Sequence, residues 1–211
     1  MLIKQRTAVI NTIRGYAAEF GVIAPKGPAK VAELLQQAHS EEANVPALAL
    51  DMLKLLGAQL DALDVKLKLL ETRLMALHRE NPLSQCLASQ PGIGPLGAVS
   101  FALRVTDPKS FHSGRHFAAW LGLTPKDHSS GGRRRQGRIS RQGNEALRKL
   151  VVLGATAVIR FARPGRASPW LLNLLARKPK KLAAVALANK MAPTLWAMMV
   201  SGEVYRRPLP A

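Results

Sequence analysis

The chain has 211 residues, with 31 Lys and Arg against 13 Asp and Glu, for a formal net charge of +18 at pH 7. That length suits one ordinary domain with a hydrophobic core and a helical extension. Such an excess of positive charge calls for a polyanionic partner. Nucleic acid is favoured over a membrane, because the apolar stretches are broken by charge well short of the ~20 residues of a spanning helix. The opening MLIKQRTAVINTIRGYAAEFG lacks an unbroken apolar core followed by a small-residue cleavage site. It does not read as a secretory signal, and a cytoplasmic location is expected. A lone cysteine, Cys86, excludes an intrachain disulfide and a cysteine-based zinc site, and its apolar surroundings read as core.

The elements in chain order are mainly α-helical. Ile3, Val9, Ile10, Ile13, Tyr16, Ala17 and Phe20 recur at helical spacing and Gly21 supplies a stop, which predicts a first helix from Leu2 to about Phe20. A Pro/Gly connector precedes a short helix from Val31 to His39. After Pro46, Leu53, Leu56, Leu60, Leu63, Leu67, Leu70, Leu74 and Leu77 alternate three and four apart. This leucine seam predicts a long coiled-coil helix whose mate is either the N-terminal helix or a second protomer. Asn81-Pro82 ends it, so the domains are placed at 1–81 and 82–211.

The second part begins with a helix-hairpin-helix around Pro91 to Pro95, then a loop at Thr106 to Ser110 and a helix from Gly114 to Leu121. A Gly/Arg-rich segment from Lys126 to Gly143 follows, in which a short hairpin is the only expected β structure. A helix from Asn144 to about Arg163 and two more after Pro164, Gly165 and Pro169 complete the chain.

Two segments carry candidate chemistry. In QPGIGPLGAVSFAL, Gly92 and Gly94 allow a tight turn, and the N–H groups opening the second helix suit a phosphate, against the plain reading of a helical hairpin without a ligand. In HSSGGRRRQGRISRQGNEALRKL, Arg133, Arg134, Arg135, Arg138, Arg141, Arg148 and Lys149 face almost no compensating acid, which reads as phosphate-backbone contact. On the residues alone, Ser129 and Ser130 are turn residues before they are nucleophiles, and His128 is too isolated to be named a base. Asp51, Asp61, Asp64 and Glu71 are strung along the leucine helix as its solvated face, and Asp107 and Asp127 are isolated, so no complete metal site is visible.

QPGIGPLGAVSFAL, then FHSGRHFAAWLGLTPKDHSSGGRRRQGRISRQGNEALRKLVVLGATAV, then ALANKMAPTLWAMM, resemble in order and spacing the C-terminal region of the insertion-sequence one-ten family of transposases, which includes the Piv-type DNA invertases. The resemblance implies an RNA-guided recombinase in two parts. An N-terminal RuvC-like domain with four metal-binding acids precedes a helical domain bearing a nucleophilic serine, and strand cleavage passes through a phosphoserine link to DNA. It places the nucleophile at Ser130 or Ser129, with Ser140 as the alternative. The metal-binding half is absent from this chain, so no cofactor is expected on it, and magnesium is expected only with the RuvC-like domain.

The expectation is therefore the DNA-binding, serine-bearing C-terminal portion of a transposase, incomplete without its metal-binding domain. Its expected partners are DNA, a guide RNA, a second copy through the leucine helix and a full-length transposase, but no membrane. The rival is a non-enzymatic module that binds nucleic acid or dimerises to regulate such an enzyme.

Overall fold

A computed structural model describes residues 1–40, 43–133, 135–165 and 167–206, so Arg134 of the arginine cluster lies outside the described residues. The chain is mainly helical and divides into two compact units, Met1–Arg73 and Leu74–Ala211.

The first unit is built from α1 (Leu2–Glu19), α2 (Val31–Ala38) and most of α3 (Ala47–Glu80). Gly21 adopts φ 75°, and the Gly21 and Val22 amides donate back to the Ala18 and Ala17 carbonyls at 3.0 Å each. This left-handed cap satisfies the last carbonyls of α1 and turns the chain out of the helix. Ile13 and Ala17 of α1, Val31 and Leu34 of α2, and Leu53, Leu60 and Leu63 of α3 share one apolar cluster. The leucine seam is thus divided. Its first part is covered locally by α1 and α2, whereas Leu70 and Leu77 each stay 49% exposed. Asp64, read as part of a solvated face, instead receives a charge-assisted hydrogen bond from Arg6 of α1.

The second unit holds α4 (Pro82–Ala88), α5 (Pro95–Arg104), α6 (Gly114–Trp120), β1 (Pro125–Asp127), β2 (Gln136–Ile139), α7 (Glu145–Arg160), α8 (Pro169–Arg177) and α9 (Lys180–Ser201). Side-chain oxygens of Asn81, Ser113, Asn144 and Ser168 accept from amides in the first turns of α4, α6, α7 and α8, which fixes where those helices begin. α9 packs on α4, α6, α7 and α8. Its buried Ala183, Ala184, Ala188 and Ala192 allow that close approach, while Leu195 and Met191 fill the core beside Phe101, Phe117, Leu147 and Val151. By length and composition α9 could cross a bilayer, a point that the charge-interruption argument passed over. Its packing against four other helices gives it the surroundings of a core helix. Cys86 is buried, its thiol donates to the Glu203 carbonyl at 3.0 Å, and burial pushes its pKa up.

The expected helix-hairpin-helix is α4, a turn and α5. Its turn is shaped by packing: Gly92 has φ 89°, and its carbonyl oxygen would lie 2.0 Å from a Cβ placed on Gly154 of α7. Two backbones meet at a point where neither can carry a side chain. Gly154→Ala should therefore lower the unfolding free energy by about 1–3 kcal/mol. Gly15→Ala, on the exposed face of α1 where a Cβ would meet nothing within 4 Å, should raise it by about 0.5–1 kcal/mol. Urea unfolding of the two variants checks the opposite signs.

Candidate nucleic-acid interface

The Gly/Arg-rich segment is an antiparallel ribbon of β1 and β2 standing on the junction between α6 and α7. A helix end leaves carbonyls without helical partners, and here the returning chain supplies donors for them. The Asn144 amide donates to the Trp120 carbonyl at 3.3 Å, Arg141 to Gly122 at 3.2 Å and Ser140 to Thr124 at 2.8 Å. The Arg148 guanidinium donates to the Leu121 carbonyl at 2.9 Å from a buried position. The two chain segments cross so closely that a Cβ on Gly143 would lie 1.8 Å from the Trp120 oxygen, and one on Gly122 2.0 Å from that of Gln142. Both glycines also have positive φ, so packing and backbone conformation each demand the residue type.

From this base the ribbon runs outward to a tight turn. Pro125 pairs with Ile139 and Asp127 with Gln136, a register shift that sets Gly137 and Arg138 opposite Lys126. Such a bulge re-aims the side chains beside it. At the tip Ser130 and Arg133 pair across Gly131 (φ 56°) and Gly132 (φ 77°). A two-residue turn with both central residues left-handed suits the strand twist, and glycine takes it without strain.

Behind the turn lies a side-chain lock that the residue types alone did not disclose. Asp127 Oδ1 accepts from both the amide and the hydroxyl of Ser129, and the Ser129 Oγ accepts in turn from the Arg135 amide at 3.1 Å. The Ser129 hydroxyl, followed by its amide, holds the Asp127 carboxyl below the usual aspartate range. Among the described residues the Ser130 hydroxyl makes no hydrogen bond, and it is exposed.

The structure sorts the candidate residues into separate environments. Arg133, Arg135 and Arg138 are exposed on the ribbon and form no ion pair among the described residues. Exposed Arg141 occupies the left-handed region at φ 58°, which costs a non-glycine residue on the order of 1 kcal/mol. It lines an open cleft of about 460 Å³ beside α7, together with Arg148, Lys149 and Leu153. Lys149 pairs with Glu145 at 2.5 Å. Ser140 is half-buried at the ribbon's foot. Gly94 is an open N-cap of α5, whereas Gly92 abuts α7, so the two glycines of the helical hairpin do different work. Among the described residues no group of three or more His, Cys, Asp or Glu gathers to hold a metal ion. Asp127, taken above as an isolated loop residue, is the member of the site that sequence reasoning missed; the D-x-S spacing of an Asx turn was its signal.

Two outcomes follow from this geometry. Because folding holds the Asp127 carboxyl below its ordinary 3.8, the lock stands above that pH and is lost as pH falls through the lowered value. The Ser129 amide resonance should report that transition by NMR, and in Asp127→Asn it should show none. Arg148→Ala should destabilise the protein by about 1–3 kcal/mol in denaturant titrations, since it strands a carbonyl, whereas Arg138→Ala on the exposed strand should stay within about 0.5 kcal/mol of wild type.

Comparison with known proteins places this ribbon in context. The family model for the IS116/IS110/IS902 transposases matches residues 84–169, which include the ribbon and both of its flanking helices. A Sinorhizobium fredii protein named as transposase y4pF/y4sB is 47% identical over 209 residues, which is 98% of this chain and 54% of that relative. A Pseudomonas aeruginosa protein named as a family 20 transposase is 41% identical over 97% of this chain and 62% of its own length. The Coxiella burnetii transposase for insertion sequence element IS1111A is 36% identical over 97% of this chain and 57% of its own length. The chain thus spans a little over half the length of these curated relatives. Near-complete alignment of both units at such identities, with the model matched across the ribbon, shows that the chain belongs to the IS116/IS110/IS902 family of transposases.

Proposed function

We propose that this chain is the DNA-holding, serine-bearing portion of a transposase, with the ribbon laid along a phosphodiester backbone and Ser130 as the nucleophile. The observation that carries the reading is the division of labour between adjacent serines. Ser129 is engaged on both sides by Asp127 and Arg135, so its work is to hold the ribbon, while Ser130 stands at the corner of the turn with its hydroxyl unengaged among the described residues. Arg133 is its cross-turn partner and Arg135 follows two residues later, so guanidinium groups are available to a phosphate that approaches Ser130. The strain kept at Arg141 supports the same reading, because glycine would fit that backbone better and only a guanidinium contributes charge there.

In the reaction this implies, an Oγ–P bond forms at Ser130 as the bond from phosphorus to a deoxyribose oxygen breaks. The serine proton passes to a base and the leaving oxygen takes up a proton. The arginines hold charge on the phosphoryl oxygens, which is work for preorganised cations. The described residues offer no ligand set for the magnesium that the family resemblance implies, so no step of this chain is routed through it. A metal-bearing domain, a guide RNA, a full-length transposase and a second copy held along the exposed part of the leucine seam belong to the same proposal as partners. One observation favours a second reading, in which Ser129 is the nucleophile: its hydroxyl already donates to Asp127, as a nucleophile does to its base.

The test has two arms. The purified chain should bind a labelled DNA duplex with affinity that falls steeply with salt. The Arg133→Ala, Arg135→Ala, Arg138→Ala triple variant should flatten the slope of log K against log[salt] by about 0.9 for each phosphate lost. With a RuvC-like domain from a relative supplied in trans and a nicked duplex, a denaturation-resistant protein–DNA adduct should survive Ser129→Ala and vanish in Ser130→Ala. An adduct that persists in Ser130→Ala and disappears in Ser129→Ala favours the second reading, and no affinity for DNA at low salt overturns both.

A further inference from the structure

A second basic feature of the same unit lies apart from the ribbon's arginines. Between α6 and α9 opens a cavity of about 350 Å³ lined by Arg115, Ala118, Thr124, Asn189, Lys190 and Pro193. The two helices approach closely beside it: Gly114, the first residue of α6, sits so near Pro193 that a Cβ there would lie 2.7 Å from the proline ring. The neighbouring residues of α6 and α9 then carry the long side chains that wall the opening.

The lining is cationic and polar, without an acid. Arg115 and Lys190 form no ion pair among the described residues, and neither Thr124 nor Asn189 has its side chain in a hydrogen bond there. The Lys190 ammonium lies 4.4 Å from the centroid of the Trp170 ring, a contact that holds it without neutralising its charge. Two uncompensated cations with a hydroxyl and an amide on the wall of one cavity form a set whose chemistry suits a tetrahedral oxyanion: a guanidinium fork, a point charge and two neutral donors. The Thr124 carbonyl is also the one that receives the Ser140 amide at the ribbon's foot, so whatever fills the cavity is registered against the ribbon.

We infer that the α6–α9 cavity is a second phosphate seat, taking a phosphodiester of the same nucleic-acid strand that crosses the ribbon and so setting that strand's register relative to the turn. This inference rests on the proposed DNA-holding role, but the site can be tested apart from it. The probes are inorganic phosphate and a labelled DNA duplex, offered to the full chain and to Arg115→Gln/Lys190→Gln, whose side chains are exposed and carry no packing core. In the wild-type chain the Trp170 indole N–H resonance should move with either probe, and the duplex should displace phosphate. In the double variant the movement should be lost, duplex affinity should fall several-fold, and the slope of log K against log[salt] should drop by about 0.9, the loss of one phosphate contact.

Duplex binding with unchanged slope in the variant and a stationary Trp170 signal overturns the inference. Phosphate that moves the signal but is not displaced by bound duplex overturns its assignment to nucleic acid. If the chain binds no duplex at all, the proposed function fails. A Trp170 response to phosphate that disappears in the double variant would then still support the cavity as an oxyanion site.

Discussion

The backbone carbonyls at and just beyond the end of α6 set where the ribbon of the second unit stands. Buried backbone carbonyls must find donors, and those of Trp120 at the end of α6 and of Leu121, Gly122 and Thr124 just beyond it find them in Asn144, Arg148, Arg141 and Ser140. Satisfying those acceptors stitches the end of one helix to the start of the next and leaves the intervening residues to leave and return as a ribbon. Gly122 and Gly143 permit the crossing, and Asn144 starts α7 at once. The fold thereby projects an arginine-rich strand pair from a hydrogen-bonded, closely packed foot.

That arrangement separates structural arginines from available ones. Arg6 is tied to Asp64, Arg14 to the Ala24 and Pro25 carbonyls, and Arg148 to Leu121, where each contributes to packing or caps a backbone. Arg133, Arg135 and Arg138 have no such duty among the described residues, and their mutual repulsion is tolerated on a ribbon held by its foot and by the Asp127–Ser129–Arg135 lock. Surface cations left without acids cost a free protein little in water, but they remain free to release counterions on meeting a phosphate chain. The exposed carboxylate inside the lock is the exception that keeps the turn in one shape.

Much of the fold was legible because its signals are local. The leucine spacing placed α3, Gly21 stopped α1, and Asn81, Asn144 and the Pro/Gly connectors marked helix ends close to where they fall. A short hairpin was expected within the Gly/Arg-rich segment from its composition, and the structure puts its turn at Gly131-Gly132. The division of the leucine seam depended on which residues α1 and α2 bring to it, a matter of tertiary packing that periodicity does not encode. Gly92 illustrates the limit at the site: a glycine in a helical hairpin reads as a phosphate turn, yet its partner Gly154 lies far along the chain. Arg148 looked like its neighbours in the cluster, and only its helical phase turned it inward to Leu121. The α6–α9 cavity joins Arg115 to Lys190 across most of the unit, so no motif could have shown it.

The central claim is that the ribbon, standing on the α6–α7 junction, is the surface that meets a nucleic-acid backbone. Amide hydrogen exchange of the intact chain, with and without a saturating DNA duplex, tests this directly. The account predicts slowed exchange concentrated from Lys126 to Arg141, with the exposed later turns of α3 unchanged. Protection confined to α3 or to the first unit, with the ribbon exchanging as fast as in the free chain, would contradict it.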